Sequence, residues 1–322
     1  MIQRKLPLNF VLSFCKDVIQ DNGEDSYCYS FCDSAGMIGV FDGCGGAGAK
    51  KHDCYSGKTE AYIASRLCSG AFYDSFRRTF PSKMPAQQLA DEVFKPTAIN
   101  QLTANEPEQT GVRITGSMVR TLPTTAAVAL IRRDKGNTLE VSAFWAGDSR
   151  VYVLDKTGLA QLTQDDTSVS DPMENLYEDG VLRNIFCSDR KVTLHTKTVQ
   201  LQPPFVVLAA TDGCFGYVST PMEFEGMILH SLLNADNPKQ WEKNMLEMIG
   251  KTAGDDHTMC LAAFGYRNFI ALQRSFSKRY DEIRETYLNP IYDLPKEDRE
   301  SRNKLWESYR GDYMRYLEDK AI

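Results

Sequence analysis

Apolar positions along this chain switch between two periods, and the switches mark out its elements. Phe10 to Phe14 reads as a first strand, and "SYCYSFC" and "MIGVFD" as two more around a turn at Asp33 to Gly36. The spacing then becomes helical. Ala61, Ala64, Leu67, Cys68, Ala71 and Phe72 line one face, and Leu89, Val93 and Phe94 line another, behind Ser82 as N-cap and Pro85 near the start. Four strand-like runs follow, "TTAAVALIRR", "TLEVSAFWAG", "RVYVLD" and "LAQLT"; "FVVLAATDG", after Pro203 and Pro204, is a fifth. Helical stretches around 221–234 and 239–251 precede a last strand, "HTMCLAAFG". Strands and helices in blocks, without strict alternation, predict an α+β fold of packed antiparallel sheets with helices outside.

The pattern changes again from Arg267. Phe269, Leu272, Phe276, Tyr280, Ile283 and Tyr287 form one stripe at spacings of three and four, and Trp306, Tyr309, Tyr313 and Leu317 form another after a break at "NPIYDLP". These predict two amphipathic helices whose aromatic faces pack on the body, the alternative being a regulatory or docking element beside a functional site, and they divide the chain into a body, 1–266, and a C-terminal helical extension, 267–322.

Composition narrows the possible functions. With 322 residues, 42% of them hydrophobic, the chain can bury a large core. A formal net charge of -6 without long single-sign runs argues against nucleic acid or an anionic membrane as the main partner, and makes cations the more natural guests. The nine cysteines, an odd number without CxxC pairs, fit reduced thiols and a cytoplasmic location. The start, "MIQRKLPLNFVLSFC", resembles a short export signal, but Pro7 and Asn9 interrupt the apolar run and bulky Phe14 precedes Cys15. No apolar stretch approaches the roughly 20 residues of a membrane span.

Several strands meet acids at their ends. "GVFDG" delivers Asp42, "LAATDG" Asp212 and "AFWAGDSR" Asp148, while Asp255 and Asp256 open the last strand. Each alone is an ordinary turn residue. Gathered at one end of a sandwich, they would supply hard oxygen ligands suited to Mg²⁺ or Mn²⁺. None of His52, His195, His230 and His257 stands at ligand spacing from another, so zinc is disfavoured.

Taken in order, "NGEDSY", "VFDGCGG", "TTAAVAL", "AGDSRVYVL", "LTQDD", "AATDGCFGYVS" and "DDHT" resemble the successive motifs of metal-dependent protein phosphatases of the 2C type, bacterial-like serine/threonine phosphatases, from about Phe10 to Tyr266. The resemblance implies a four-layer α-β-β-α sandwich of two antiparallel sheets with a two-metal centre at one end. Position by position it implies Asp42 as the carboxylate bridging two Mn²⁺ or Mg²⁺ ions, with the Gly43 carbonyl on one of them. Asp212 and Asp255 then hold the other, Glu24 and Asp25 act through bound water, and Asp148 with Asp212 can hold a third. The implied reaction is hydrolysis of phosphoserine or phosphothreonine in a protein substrate by metal-activated water, without a covalent intermediate.

Three positions depart from the family. Cys44 stands where a His usually protonates the leaving alkoxide; its thiol, with a reference pKa of about 8.5, can donate a proton, but nearby cations favour the thiolate and weaken it as an acid. Gln20 stands where a phosphate-binding Arg is common, leaving Lys50, Lys51 or Arg150 as substitutes. Pro123 replaces a common glycine. Two alternatives use the same centre: a phosphatase-like module that binds a phosphorylated partner but turns over slowly, and a hydrolase of small phosphoesters. The sequence carries no signal for an oligomeric state.

Overall fold

The structure, a computed structural model, describes residues 5–108, 120–134, 136–178, 180–295 and 297–317. In chain order its first part runs β1 (Leu8–Lys16), β2 (Ser26–Phe31), β3 (Ala35–Phe41), α1 (Glu60–Thr79), α2 (Ala86–Leu89) and α3 (Lys95–Ala104), with a π-turn at Ala90–Phe94 joining α2 to α3. Strands β4 (Ala126–Arg133), β5 (Leu139–Ala146), β6 (Arg150–Asp155), β7 (Gly158–Gln161), β8 (His195–Leu201) and β9 (Phe205–Ala210) follow. The rest comprises α4 (Asp212–Phe215), α5 (Pro221–Leu233), α6 (Pro238–Ile249), β10 (His257–Phe264), α7 (Phe269–Ile283), α8 (Asn289–Asp293) and α9 (Arg299–Tyr313).

The described strands form two five-stranded sheets, ordered β1-β10-β9-β6-β7 and β2-β3-β4-β5-β8, with every pairing antiparallel. Ile38, Val40, Val207 and Ala209 interleave between the sheets. The alternate residues of the same strands face outward into two further cores. Met37 and Phe41 meet Cys68 and Phe72 of α1 and Leu102 of α3. Leu208 and Ala210 lie under Phe224 of α5, Trp241 of α6, Phe276 of α7 and Trp306 of α9. Both faces of β3 and β9 are therefore covered, and every residue of the two strands is buried. That is why "MIGVFD" and "FVVLAATD" read as continuous apolar runs. The predicted four-layer α+β sandwich is the observed one.

The structure corrects the predicted elements in four places. The helical run at 89–94 is the middle of a longer one, and Ser82 does not cap it: its hydroxyl accepts from Met84 N, while Pro85 occupies the N-cap. The break placed at "NPIYDLP" comes later, because Pro290 sits in the first turn of α8, where a missing N–H is tolerated. Helix α9 stops at Tyr313, so Leu317 lies in a following turn. Strand β8, "HTKTVQL", has no counterpart in the apolar pattern. It is an edge strand held by backbone pairing to β5, and only Leu201 is buried.

The extension packs on the outside of the first sheet. A buried ion pair joins α7 to α5: the Arg279 guanidinium donates to both carboxylate oxygens of Glu225, at 2.8 and 3.2 Å, and the Tyr309 hydroxyl of α9 donates to the same carboxylate. Removing one partner of such a pair strands the other charge. We expect Arg279→Met to destabilise the protein by about 3–5 kcal/mol in urea unfolding, and the double variant Glu225→Leu/Arg279→Met to recover most of the loss. Equal losses in the single and double variants would contradict this.

Candidate metal centre

Strand register brings the predicted acids to one end of the sandwich. In the second sheet the start of β2 lies opposite the end of β3 (Ser26 with Phe41), and the start of β4 lies opposite the end of β5 (Ala126 with Ala146). In the first sheet Ala210, at the end of β9, lies between Arg150 at the start of β6 and Met259 near the start of β10. Glu24 and Asp25 before β2, Asp42 after β3, Asp148 between β5 and β6, Asp212 after β9 and Asp255 before β10 must then gather at that edge.

Hydroxyl groups fix the acids in place. Thr125 Oγ1 accepts from Asp42 N at 3.2 Å, while the Asp42 carbonyl accepts from Thr124 Oγ1 at 2.7 Å and Thr125 N at 2.8 Å. Thr125 Oγ1 also lies 2.7 Å from Ser149 Oγ, tying the "TT" and "GDS" motifs together. Thr211 Oγ1 donates to Asp25 Oδ2 at 2.8 Å. The Glu24 carboxylate accepts from Thr59, the residue that caps α1. Asp256 is a brace: its two oxygens accept from Val18 N at 2.8 Å and Glu24 N at 2.7 Å.

Three glycines allow this crowding. A Cβ on Gly43 would lie 2.5 Å from the Ala61 carbonyl oxygen, one on Gly45 2.1 Å from Glu24 Oε2, and one on Gly213 1.9 Å from the Asp256 carbonyl oxygen. Beside the role toward an ion expected for Gly43, the close approach of two backbone segments is a separate reason for a glycine there. Pro123, the other unusual loop residue, follows Leu122, which is buried with φ +52°, a strained conformation for a branched side chain. The Leu122 N–H is anchored on Glu60 Oε2 at 3.1 Å, and the Pro123 carbonyl accepts from Cys44 N at 3.2 Å.

Burial and mutual repulsion dominate the electrostatics. Burial pushes the Asp42 carboxyl well above the usual range, and the charges of Asp25, Asp212, Asp148 and Asp255 push it further. Asp25 and Asp148 are raised strongly, chiefly by burial and with a contribution from Asp212. Asp212 is raised by burial and by Asp255, and is close enough to Asp42 to share a hydrogen bond with it, which opposes the rise. Glu24 and Asp255 are raised by burial. Burial and Asp42 push the Cys44 thiol up, and its sulfur lies 4.0 Å from the Asp42 carbonyl oxygen.

This edge fits hard divalent cations. Asp148 Oδ1 is buried without a hydrogen-bond partner among the described residues, and several carboxylates repel one another around it. The side chains of Glu24, Asp25, Asp42, Asp148, Asp212 and Asp255 offer oxygen donors at the edge, and the Cys44 sulfur lies beside them. Among the described residues no three His, Cys, Asp or Glu side chains converge into a ready-made cage. A spread carboxylate set suits Mg²⁺ or Mn²⁺, which keep several waters.

Two recesses open beside the acids. One, of about 420 Å³, has Asp148 and Asp212 on its floor and Leu176, Tyr177 and Tyr217 on its walls. The other, of about 430 Å³, is lined by Glu24, Asp255, Lys51 and Lys58. Of the proposed substitutes for the phosphate-binding Arg, Arg150 is already engaged: it is 3% exposed and grips Asp165 with Nε at 2.9 Å and Nη2 at 2.6 Å. Lys51 is exposed and lines the second recess, whereas Lys50 lines neither.

No protein-family model and no curated protein sequence matches the chain. Solved structures share its fold. The serine/threonine phosphatase Stp1 from Staphylococcus aureus superposes with a TM-score of 0.59 at 16% identity, covering 82% of this chain and 98% of that one. The catalytic domain of the serine threonine protein phosphatase PstP, in complex with 2 manganese ions, gives a TM-score of 0.51 at 18% identity, covering 79% of this chain and 97% of that one. PppA, a key regulatory component of T6SS in Pseudomonas aeruginosa, gives 0.51 at 19% identity over 81% of this chain and 100% of that one.

The raised acids predict a pH dependence. A carboxyl raised above its unfolded value contributes stability that is present below its ordinary pKa of 3.8 and is lost as pH rises through the folded value. Asp148→Asn removes one repelling charge. In chelator it should raise the unfolding temperature by a few degrees at about pH 8, equivalent to about 1–2 kcal/mol, with the gain fading towards about pH 4. Calorimetry across that range checks this, and a variant less stable than wild type at the alkaline end would contradict it.

Proposed function

We propose that the protein is a metal-dependent serine/threonine phosphatase of the 2C type that acts on phosphorylated proteins. The observation that carries this reading is the convergence of seven dispersed motifs on one edge of the sandwich, where the structure leaves buried, mutually repelling carboxylates. In this reading residues 1–266 form the catalytic body. Asp42 bridges two divalent cations with the Gly43 carbonyl on one of them. Asp212 and Asp255 hold the second, Glu24 and Asp25 act through water, and Asp148 with Asp212 provides for a third. Manganese is the first ion to test, because the PstP structure holds two; Mg²⁺ suits the same donors. Such ions supply Lewis-acid activation of water for in-line displacement at phosphorus.

The remaining work falls to the chain itself. Thr124, Thr125 and Ser149 keep the Asp42 backbone fixed, so that its carboxylate does not turn away from its repelling neighbours. Lys51, which lines the recess with Glu24, Asp255 and Lys58, is in this reading the group that meets the incoming phosphate in the absence of an Arg at Gln20. Cys44 is the candidate to protonate the leaving alkoxide. The raised thiol keeps its proton at neutral pH in the metal-free protein, whereas bound cations would pull it the other way. The nine cysteines are all free, which supports a reducing, cytoplasmic setting. Among the described residues no helix is long and apolar enough to cross a membrane.

Activity on phosphoserine or phosphothreonine peptides should require Mn²⁺ or Mg²⁺ and disappear in EDTA. Asp42→Asn or Asp212→Asn should lower turnover by several orders of magnitude in a folded protein. Near wild-type rates in both variants, or full activity after exhaustive metal removal, would overturn the assignment. Lys51→Ala should raise KM for phosphopeptides several-fold with a smaller change in kcat; an unchanged KM would remove Lys51 from the phosphate site.

A further inference from the structure

Helix α9 does more than cover the outer face of the first sheet. Its three largest aromatic side chains, Trp306, Tyr309 and Tyr313, are 2%, 1% and 1% exposed, and each aims a polar atom at a specific partner. Covering an apolar face would need only the rings. Trp306 Nε1 donates to Asp171 Oδ2 at 3.3 Å. The other oxygen of Asp171 accepts from Met173 N at 2.8 Å and Glu174 N at 3.2 Å, shaping the turn that carries Leu176 and Tyr177 into the wall of the cleft over Asp148 and Asp212. The Arg299 guanidinium stacks 4.5 Å from the Tyr177 ring.

The same helix reaches the cleft from below. The Tyr313 hydroxyl accepts from Arg150 Nη1 at 3.4 Å, and Arg150 grips Asp165, which also accepts from Asn175 Nδ2 at 3.0 Å. Arg150, Asp165, Asn175 and Tyr177 all line the cleft, and all are tied through Asp165, Asp171 or Arg299 to one helix more than 120 residues away in sequence.

We propose that α9 is the positioning strut of this cleft, and that by holding the 171–177 wall over Asp148 and Asp212 it sets how tightly the polypeptide flanking a phosphorylated residue is bound. The proposal rests on the phosphatase reading for its substrate, but the latch itself does not. Trp306 and Asp171 are positioning residues, remote from the reacting atoms.

The test uses the full chain with Trp306→Phe, which keeps a packed ring but loses the N–H, and Asp171→Asn, which keeps an oxygen for the turn but loses the carboxylate. With Mn²⁺ present, each should lower kcat/KM for a phosphopeptide about fivefold to tenfold through KM, the scale of one lost hydrogen bond. Rates on p-nitrophenyl phosphate should stay within about twofold, since that small ester does not need the wall. The double variant should be no worse than either single one. Backbone amide exchange at 173–177 should quicken in both variants while the sheets stay protected. Unchanged exchange there and an unchanged KM would overturn the proposal. A wild type inactive on both substrates would refute the phosphatase reading, and the exchange comparison would still decide whether α9 latches the wall.

Discussion

Like charges held together by buried strands are the constraint on which the rest of this structure depends. Each carboxylate would relax into water if its backbone could move, and the rigidity of β3 and β9, covered on both faces, prevents that. The cost appears as carboxyls pushed above their ordinary range by burial and by one another. Much of the surrounding detail follows from it. Thr124 and Thr125 clamp the Asp42 backbone, Asp256 braces the segment before β2, and Gly43 and Gly213 allow backbone segments to approach where any side chain would collide. Local stability is given up to hold this geometry, and protonation or a bound cation would relieve it, the relation expected between a strained cluster and its scaffold.

Most of the fold was legible in the sequence because apolar period and burial coincide in it. β3, β4, β5, β9 and β10 are central strands, and their apolar runs announced them. β8 was not legible: its side chains alternate among Thr, Lys and Gln with little burial, and what holds it is backbone pairing, which leaves no trace in composition. The end of α7 was misread for a related reason. A proline normally signals a break, yet Pro290 is accommodated in the first turn of α8.

The candidate site was legible in part. The acids appeared as strand-terminal Asp residues, and their order carried the family resemblance. The residues that position them did not stand out, since a threonine that clamps a backbone and one on a strand surface look alike before register is known. Arg150 shows the opposite error. Its place in "GDSR" suggested a group free to meet phosphate, but its partner Asp165 lies in another motif, "LTQDD", and the pairing is visible only in three dimensions. The aromatic stripe of α9 predicted packing correctly and gave no hint that its polar ends reach Asp171, Glu225 and Arg150.

The central claim is that the edge of the sandwich around Asp42 is a two-metal centre. Crystals grown or soaked with Mn²⁺ and measured at the manganese absorption edge test it directly. The account predicts anomalous peaks on both sides of the Asp42 carboxylate, one reached also by Asp212 and Asp255 and the other by the Gly43 carbonyl. Manganese bound elsewhere, or no peak at this edge in a well-ordered crystal, would contradict it.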